Sequence, residues 1–270
     1  MNRSDIKFAV YLDEVDDDPS KACHCLSENN IQNVCLRRAW SRPVMDMADT
    51  ACVRLSEILA AHKIKPILLI TDIGENCPLD TMGGQFVKLE QTLHICNFFK
   101  CNAIKVCLGS LVNERHDMKL LNAWMADVAT MCLEADVVPT IELSWNLPVS
   151  EPAAIATLLK QHKRWSIIYD PAALVMHKRI DPFTKYWSLL KSRVSHIDIH
   201  DFQIGKSPRP PGHGDAKLDL TISDATNSNF NGWYCLEPGM GRRYGSIITK
   251  QGVFLNALQV CDRLFNRLGG

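Results

Sequence analysis

The sequence has no net charge to spare: thirty acidic and thirty basic side chains cancel over 270 residues. No global field therefore draws the chain to nucleic acid or to an anionic membrane, and small neutral or locally anionic molecules are the partners to expect. No run approaches the roughly 18 apolar residues that cross a bilayer. Met1-Asn2-Arg3-Ser4-Asp5 leads straight into a strand pattern without the apolar core of a secretory signal, so a soluble, cytoplasmic protein is expected. Low-complexity segments, linkers and a second domain are missing too. No Gly-x-Gly-x-x-Gly follows the first strand, which removes the main support for a doubly wound dinucleotide-binding sheet.

Cysteine is not scarce, but its eleven copies are odd in number and mostly scattered singly, as at Cys35, Cys96, Cys107, Cys132 and Cys235. Buried free thiols in a reducing compartment fit that usage. The one tight cluster, Cys23-His24-Cys25, falls on an amphipathic helix and lacks the second half of a zinc site.

What is present is a regular alternation of strand-like and helix-like segments, repeating about every thirty residues, the size of a βα unit. Strands are expected at residues 6–12, 33–37, 65–71, 103–108, 137–143, 165–169, 194–200 and 232–236. Helices are expected at 19–29, 48–62, 85–100, 117–135, from Ser150 onward, 182–192 and 251–268, with a poor helix between the last two strands, where residues 227–232 carry turn chemistry. With 46% hydrophobic residues the chain can build one large core. Eight strands alternating with helices predict a single α/β domain over residues 1–270, a (β/α)8 TIM barrel.

The stretch around which this pattern turns is Ser195-His196-Ile197-Asp198-Ile199-His200-Asp201. Alternation puts Ile197 and Ile199 on one face of a strand and His196, Asp198 and His200 on the other. In a barrel the inward side chains at the C-terminal strand ends carry the chemistry. The last four strands each bring an acid there: Glu142, Asp170, Asp198 and Glu237. Four carboxylates aimed at one spot repel one another unless a cation sits among them.

Ile-Glu-Leu at Glu142, Tyr-Asp-Pro at Asp170, His-Ile-Asp-Ile-His-Asp on strand seven, Arg209 with Pro-Pro-Gly-His-Gly-Asp, and Leu-Glu-Pro at Glu237 together resemble the xylose isomerase-like TIM-barrel superfamily of sugar isomerases, ketose 3-epimerases and inosose dehydratases. The resemblance runs over nearly the whole chain. It implies Glu142, Asp170 and Glu237 as metal ligands, with both glutamates doubling as catalytic acid and base. The fourth ligand, usually a histidine, falls on Asp198, with His200 as a substitute; Ala173 stands where relatives often carry a further histidine. An all-oxygen ligand set points to manganese or magnesium ahead of zinc or cobalt.

The implied activity is a divalent-metal-dependent isomerase or epimerase acting on a ketose, ketose phosphate or related polyol through an enediolate. A metal-dependent dehydratase, or a degenerate non-catalytic binding barrel, are the alternatives. Arg37, Lys105, Trp145, His196, His200 and Arg209 are the candidate substrate contacts, Arg209 from a loop over residues 203–215 expected to close over the substrate, with Lys206 adding charge. Arg242-Arg243 is a further candidate anion site. The partner expected is a sugar or sugar phosphate, not nucleic acid or membrane, and a homo-oligomer is compatible with the sequence.

Overall fold

Eight parallel strands close on themselves in a computed structural model that describes residues 3–109, 114–143, 147, 149, 151–178, 180–206, 208–239 and 249–268. They are β1 (Lys7–Tyr11), β2 (Asn33–Leu36), β3 (Lys65–Ile70), β4 (Ala103–Lys105), β5 (Val138–Glu142), β6 (Ser166–Tyr169), β7 (Val194–Ile199) and β8 (Trp233–Leu236). Hydrogen bonding runs in sequence order around the ring, and β8 closes it onto β1 with Ala9 opposite Cys235 and Val10 opposite Leu236. This is the (β/α)8 TIM barrel that the alternating pattern predicts.

The strands are apolar on both faces because both are covered. Ala9, Tyr11, Cys35, Ile67, Leu68, Ala103, Ile168 and Cys235 pack as an inner cluster, while Val10, Leu36, Ile167, Ile197 and Ile199 pack outward against the helices. Pro66 sits in β3 without a backbone N–H, and the β2–β3 register slips beside it, between Val34 and Cys35.

The main helices are α1 (Pro19–Glu28), α2 (Asp49–Ala61), α3 (Gln85–Phe99), α4 (Glu114–Glu134), α5 (Pro152–Gln161), α6 (Pro171–Lys178), α7 (Leu218–Asn227) and α8 (Lys250–Leu268). The Asp18 carboxylate caps α1 by accepting from the Ser20 N–H, with Pro19 in the first turn. Two segments differ from expectation. An additional helix, α6, starts directly after β6 at Pro171; the helix expected at 182–192 follows it, as a π-helical turn at Phe183–Trp187 that runs on into Ser188–Leu190 and Lys191–Arg193. The stretch before β8 holds a regular helix, α7, because Leu218, Thr221, Ile222 and Ala225 form one buried stripe; the turn chemistry begins only at its end. No helix among the described residues is long and apolar enough to cross a membrane. The cysteines are free, most of them buried.

Candidate active site

A cavity of about 500 Å³ opens at the C-terminal ends of the strands, and its lining includes Arg37, Lys105, Glu142, Asp170, His200 and Glu237. Their positions follow from strand parity. Lys105 ends β4 two residues beyond the inward Ala103, Asp170 follows the inward Ile168 by two, and Glu237 follows the inward Cys235 by two. Glu142 lies on the same face as its β6 register partner Ile168.

Three pairs ring the mouth. Lys105 Nζ meets Glu142 Oε2 at 2.9 Å across the β4–β5 seam. His200 Nε2 meets Asp170 Oδ1 at 2.6 Å across the β6–β7 seam. Arg37 spans β1 to reach Glu237 Oε1 with Nη1 at 2.6 Å, and its remaining nitrogens hold Asp13 Oδ2 at 3.0 Å and Glu14 Oε1 at 2.8 Å. The Arg37 guanidinium also lies 5.1 Å from the Tyr11 ring centre.

Each cation is held charged. Burial disfavours the Lys105 ammonium, but Glu142 outweighs that and raises its pKa. Burial likewise opposes the His200 imidazolium, yet Asp170, with Glu237 and Asp201, pushes its pKa up to about 9. Arg37 moves upward against burial through Glu237, Asp13 and Glu14. Glu14 shifts the other way from the usual acid: burial and then Glu237 raise it.

Asp198 and His196 point inward as their alternation predicts but lie beneath this mouth, and neither is among the residues described as lining the cavity. Asp198 is 1% exposed, accepts a 3.0 Å hydrogen bond from the Tyr11 hydroxyl, and pairs in register with Cys235. Burial, then the charges of Glu237, Asp170 and Glu142, raise its pKa well above the carboxylate range. His196 is 3% exposed beside Ile168 and Trp233; burial lowers its pKa to about 4, and Nδ1 bonds the Ser195 hydroxyl at 2.8 Å while Nε2 is unpaired. His196 is thus a neutral imidazole buried beneath the cavity, not on its lining.

Arg209 sits in a two-stranded ribbon, Asp201–Phe202 against Pro208–Arg209, where its Nε donates to Gln203 Oε1 at 3.0 Å. The ribbon is pinned by Asp201, whose carboxylate accepts from the backbone of Phe202, Gly214 and Ala216. Arg209 is not among the described residues that line the cavity. Trp145, Arg242 and Arg243 lie outside the described residues.

Sequence reasoning passed over Asp13 and Glu14, which hold Arg37, and over Tyr11. Their signal was present: Ala9, Tyr11 and Asp13 share the inward parity of β1, and an acid two residues past the last inward side chain of a strand is the same feature that marks Glu237.

The probable 3-DHS dehydratase AsbF from Bacillus anthracis superposes on this architecture with a TM-score of 0.73 at 13% identity, over 96% of this chain and 100% of its own. A D-tagatose 3-epimerase-like protein does so with a TM-score of 0.73 at 9% identity, over 98% of each chain. A xylose isomerase-like TIM barrel protein from Mycobacterium smegmatis, in complex with magnesium, matches with a TM-score of 0.70 at 12% identity, over 97% of each chain. The fold is that of the xylose isomerase-like TIM barrels. No family model matches the chain, and no curated protein matches it in sequence.

The magnesium belongs to that neighbour, and the manganese or magnesium site expected here must be judged on this chain's own donors. Among the described residues, no three His, Cys, Asp or Glu side chains stand together as ion ligands. The reason is local. Glu142, Asp170 and Glu237 each turn an oxygen to a cation of the chain, and Asp198 turns one to Tyr11 below the floor. The donor types suit a hard ion, but their arrangement does not form its shell.

Proposed function

We propose that the chain is an enzyme that moves a proton beside the carbonyl group of a small polyhydroxylated substrate, isomerising or epimerising a sugar or a sugar-like compound. The observation that carries this reading is the placement of Glu142 and Glu237 on one cavity. They end β5 and β8, with β6 and β7 between them on one side of the ring and β1 to β4 on the other, so the two carboxyl groups approach from facing walls. A carbon acid held between them is within reach of a base on one face and an acid on the other.

The neighbouring cations supply the second requirement. A hydrogen next to a carbonyl becomes acidic enough to remove only when the developing oxyanion is stabilised, and fixed donors in a secluded cavity do this best. Lys105 and His200 carry such donors at the mouth. One glutamate accepts the proton from carbon as the bonding pair moves into the enediolate; the other, in its acid form, returns a proton to the opposite face and gives the epimer. Return to the neighbouring carbon by the first glutamate, with the hydroxyl proton of the enediolate passing to the former carbonyl oxygen, gives the aldose–ketose isomer.

Solvent exchange tests this without knowledge of the product. Ketoses, ketose phosphates and cyclic polyol ketones incubated with the protein in heavy water are expected to take up deuterium at one carbon, read by NMR. Glu142→Gln and Glu237→Gln should each slow uptake by about 100-fold to 10,000-fold, the scale of one general acid or base, with melting temperature retained. No uptake across the three classes would sink the proposal, and loss of a hydroxyl instead of exchange would identify a dehydratase.

A further inference from the structure

We propose that this site works without a divalent ion, with Lys105, Arg37 and His200 standing where an ion would otherwise neutralise the carboxylates. The proposal rests on the proton-transfer reading above. It starts from the arrangement of the pairs. Each carboxylate at the mouth has its own cation, delivered from the adjacent strand end or across one strand, at 2.9 Å for Glu142, 2.6 Å for Asp170 and 2.6 Å for Glu237.

Arg37 is the least removable of the three. A guanidinium stays charged at any physiological pH, and this one is clamped by Glu237, Asp13 and Glu14 and flanked by the Tyr11 ring. An ion taking Glu237 Oε1 would have to displace it and leave Asp13, only 6% exposed in its side chain, beside Glu14 without the guanidinium they share. Lys105 is fixed in the same way, with 17% of its side chain exposed against Glu142. The carboxylate that the family pattern would make the remaining ligand, Asp198, is turned into the barrel and committed to Tyr11. A divalent ion placed at the mouth would share these carboxylates with three fixed cations and be repelled by each of them.

The chemistry balances without an ion. The substrate carbonyl oxygen accepts a hydrogen bond from the Lys105 ammonium. A glutamate takes the proton from the adjacent carbon, the C–H pair becomes the carbon–carbon double bond of the enediolate, and the carbonyl π pair moves to the oxygen facing Lys105. Protonation of carbon by the opposite glutamate reverses the electron flow, and no oxidant, reductant or water is consumed.

The test is Mn2+ binding followed by electron paramagnetic resonance on EDTA-treated full-length protein, which reads the site independently of turnover. The wild-type chain is expected to leave the free Mn2+ signal undiminished at millimolar ion. The Arg37→Gln/Lys105→Gln double variant, with two carboxylates released, should bind Mn2+ at least about tenfold more tightly than wild type. Stoichiometric Mn2+ binding by the wild type, abolished in Glu142→Gln, would overturn the proposal. So would a double variant that keeps its circular dichroism spectrum and gains no affinity. If the double variant does not fold, Lys105→Gln alone decides, since it frees Glu142. Failure of the proton-transfer reading looks different: no deuterium uptake with or without Mn2+, whatever the binding result.

Discussion

His200 and Asp170 share a 2.6 Å bond, and the imidazole, raised to about 9, stays protonated through neutral pH. The ordinary histidine value is near 6.5. Because the folded value is the higher one, the pair's contribution to stability is fully present below about 6.5 and is lost as pH rises through about 9. NMR titration should find the His200 midpoint near 9 in the wild type and lower in Asp170→Asn. The melting-temperature gap between the two proteins should narrow above that pH. Asp198 also shifts upward, chiefly by burial, so its contribution likewise falls as pH rises above the ordinary aspartate range. Asp198→Asn, which keeps an oxygen for the Tyr11 hydroxyl, is expected to stabilise the fold by about 1 kcal/mol or more at pH 8, the scale of relieving a poorly compensated buried group, and much less at pH 4; denaturant melts at the two pH values check this. Alternation read the inward direction of His196, Asp198 and His200 correctly. Parity carries no information on depth, however, and one step of two residues along a strand is about 6.6 Å. One such step takes the chain from Asp198 in the floor to His200 at the rim.

Helices α6 and α7 show where local sequence was and was not enough. Asp170 Oδ1 accepts from the Ala173 N–H at 2.9 Å, and Pro171 begins the helix. Asp-Pro is thus an N-cap followed by its first-turn proline, a signal eclipsed by reading Asp170 only as a ligand. One carboxylate oxygen both caps α6 and receives His200, so Asp170→Asn should loosen α6 as well as the rim. At the other end of the chain, α8 closes the barrel through Phe265. Its ring meets Phe8 of β1 at 6.2 Å and Tyr234 of β8 at 5.5 Å, both edge-on. Phe265→Ala is expected to lose about 3–5 kcal/mol and Phe265→Leu far less, measured by urea denaturation. The apolar spacing of α8 was plain in the sequence; its two aromatic partners were not, because they lie far away along the chain.

Across the whole molecule, fold class was readable because eight βα periods repeat with little variation, whereas the pairing at the mouth was not. Arg37 and Glu237 are separated by 200 positions, and no local pattern announces so distant a partner. Pro66 lies within a strand that is continuous, as the apolar run describes it, and only the slip in register beside it shows how the sheet absorbs a missing donor. The seam between β1 and β8 has a consequence for a chain still being made. The first strand emerges with one edge bare and keeps it until β8 has been synthesised, since its partner is the last strand of the barrel. Translation halted before Trp233 would leave β1 and β7 both open to pairing with other chains. Ribosome-stalled products of that length are therefore expected to be captured by chaperones or to aggregate, while the full-length product is not.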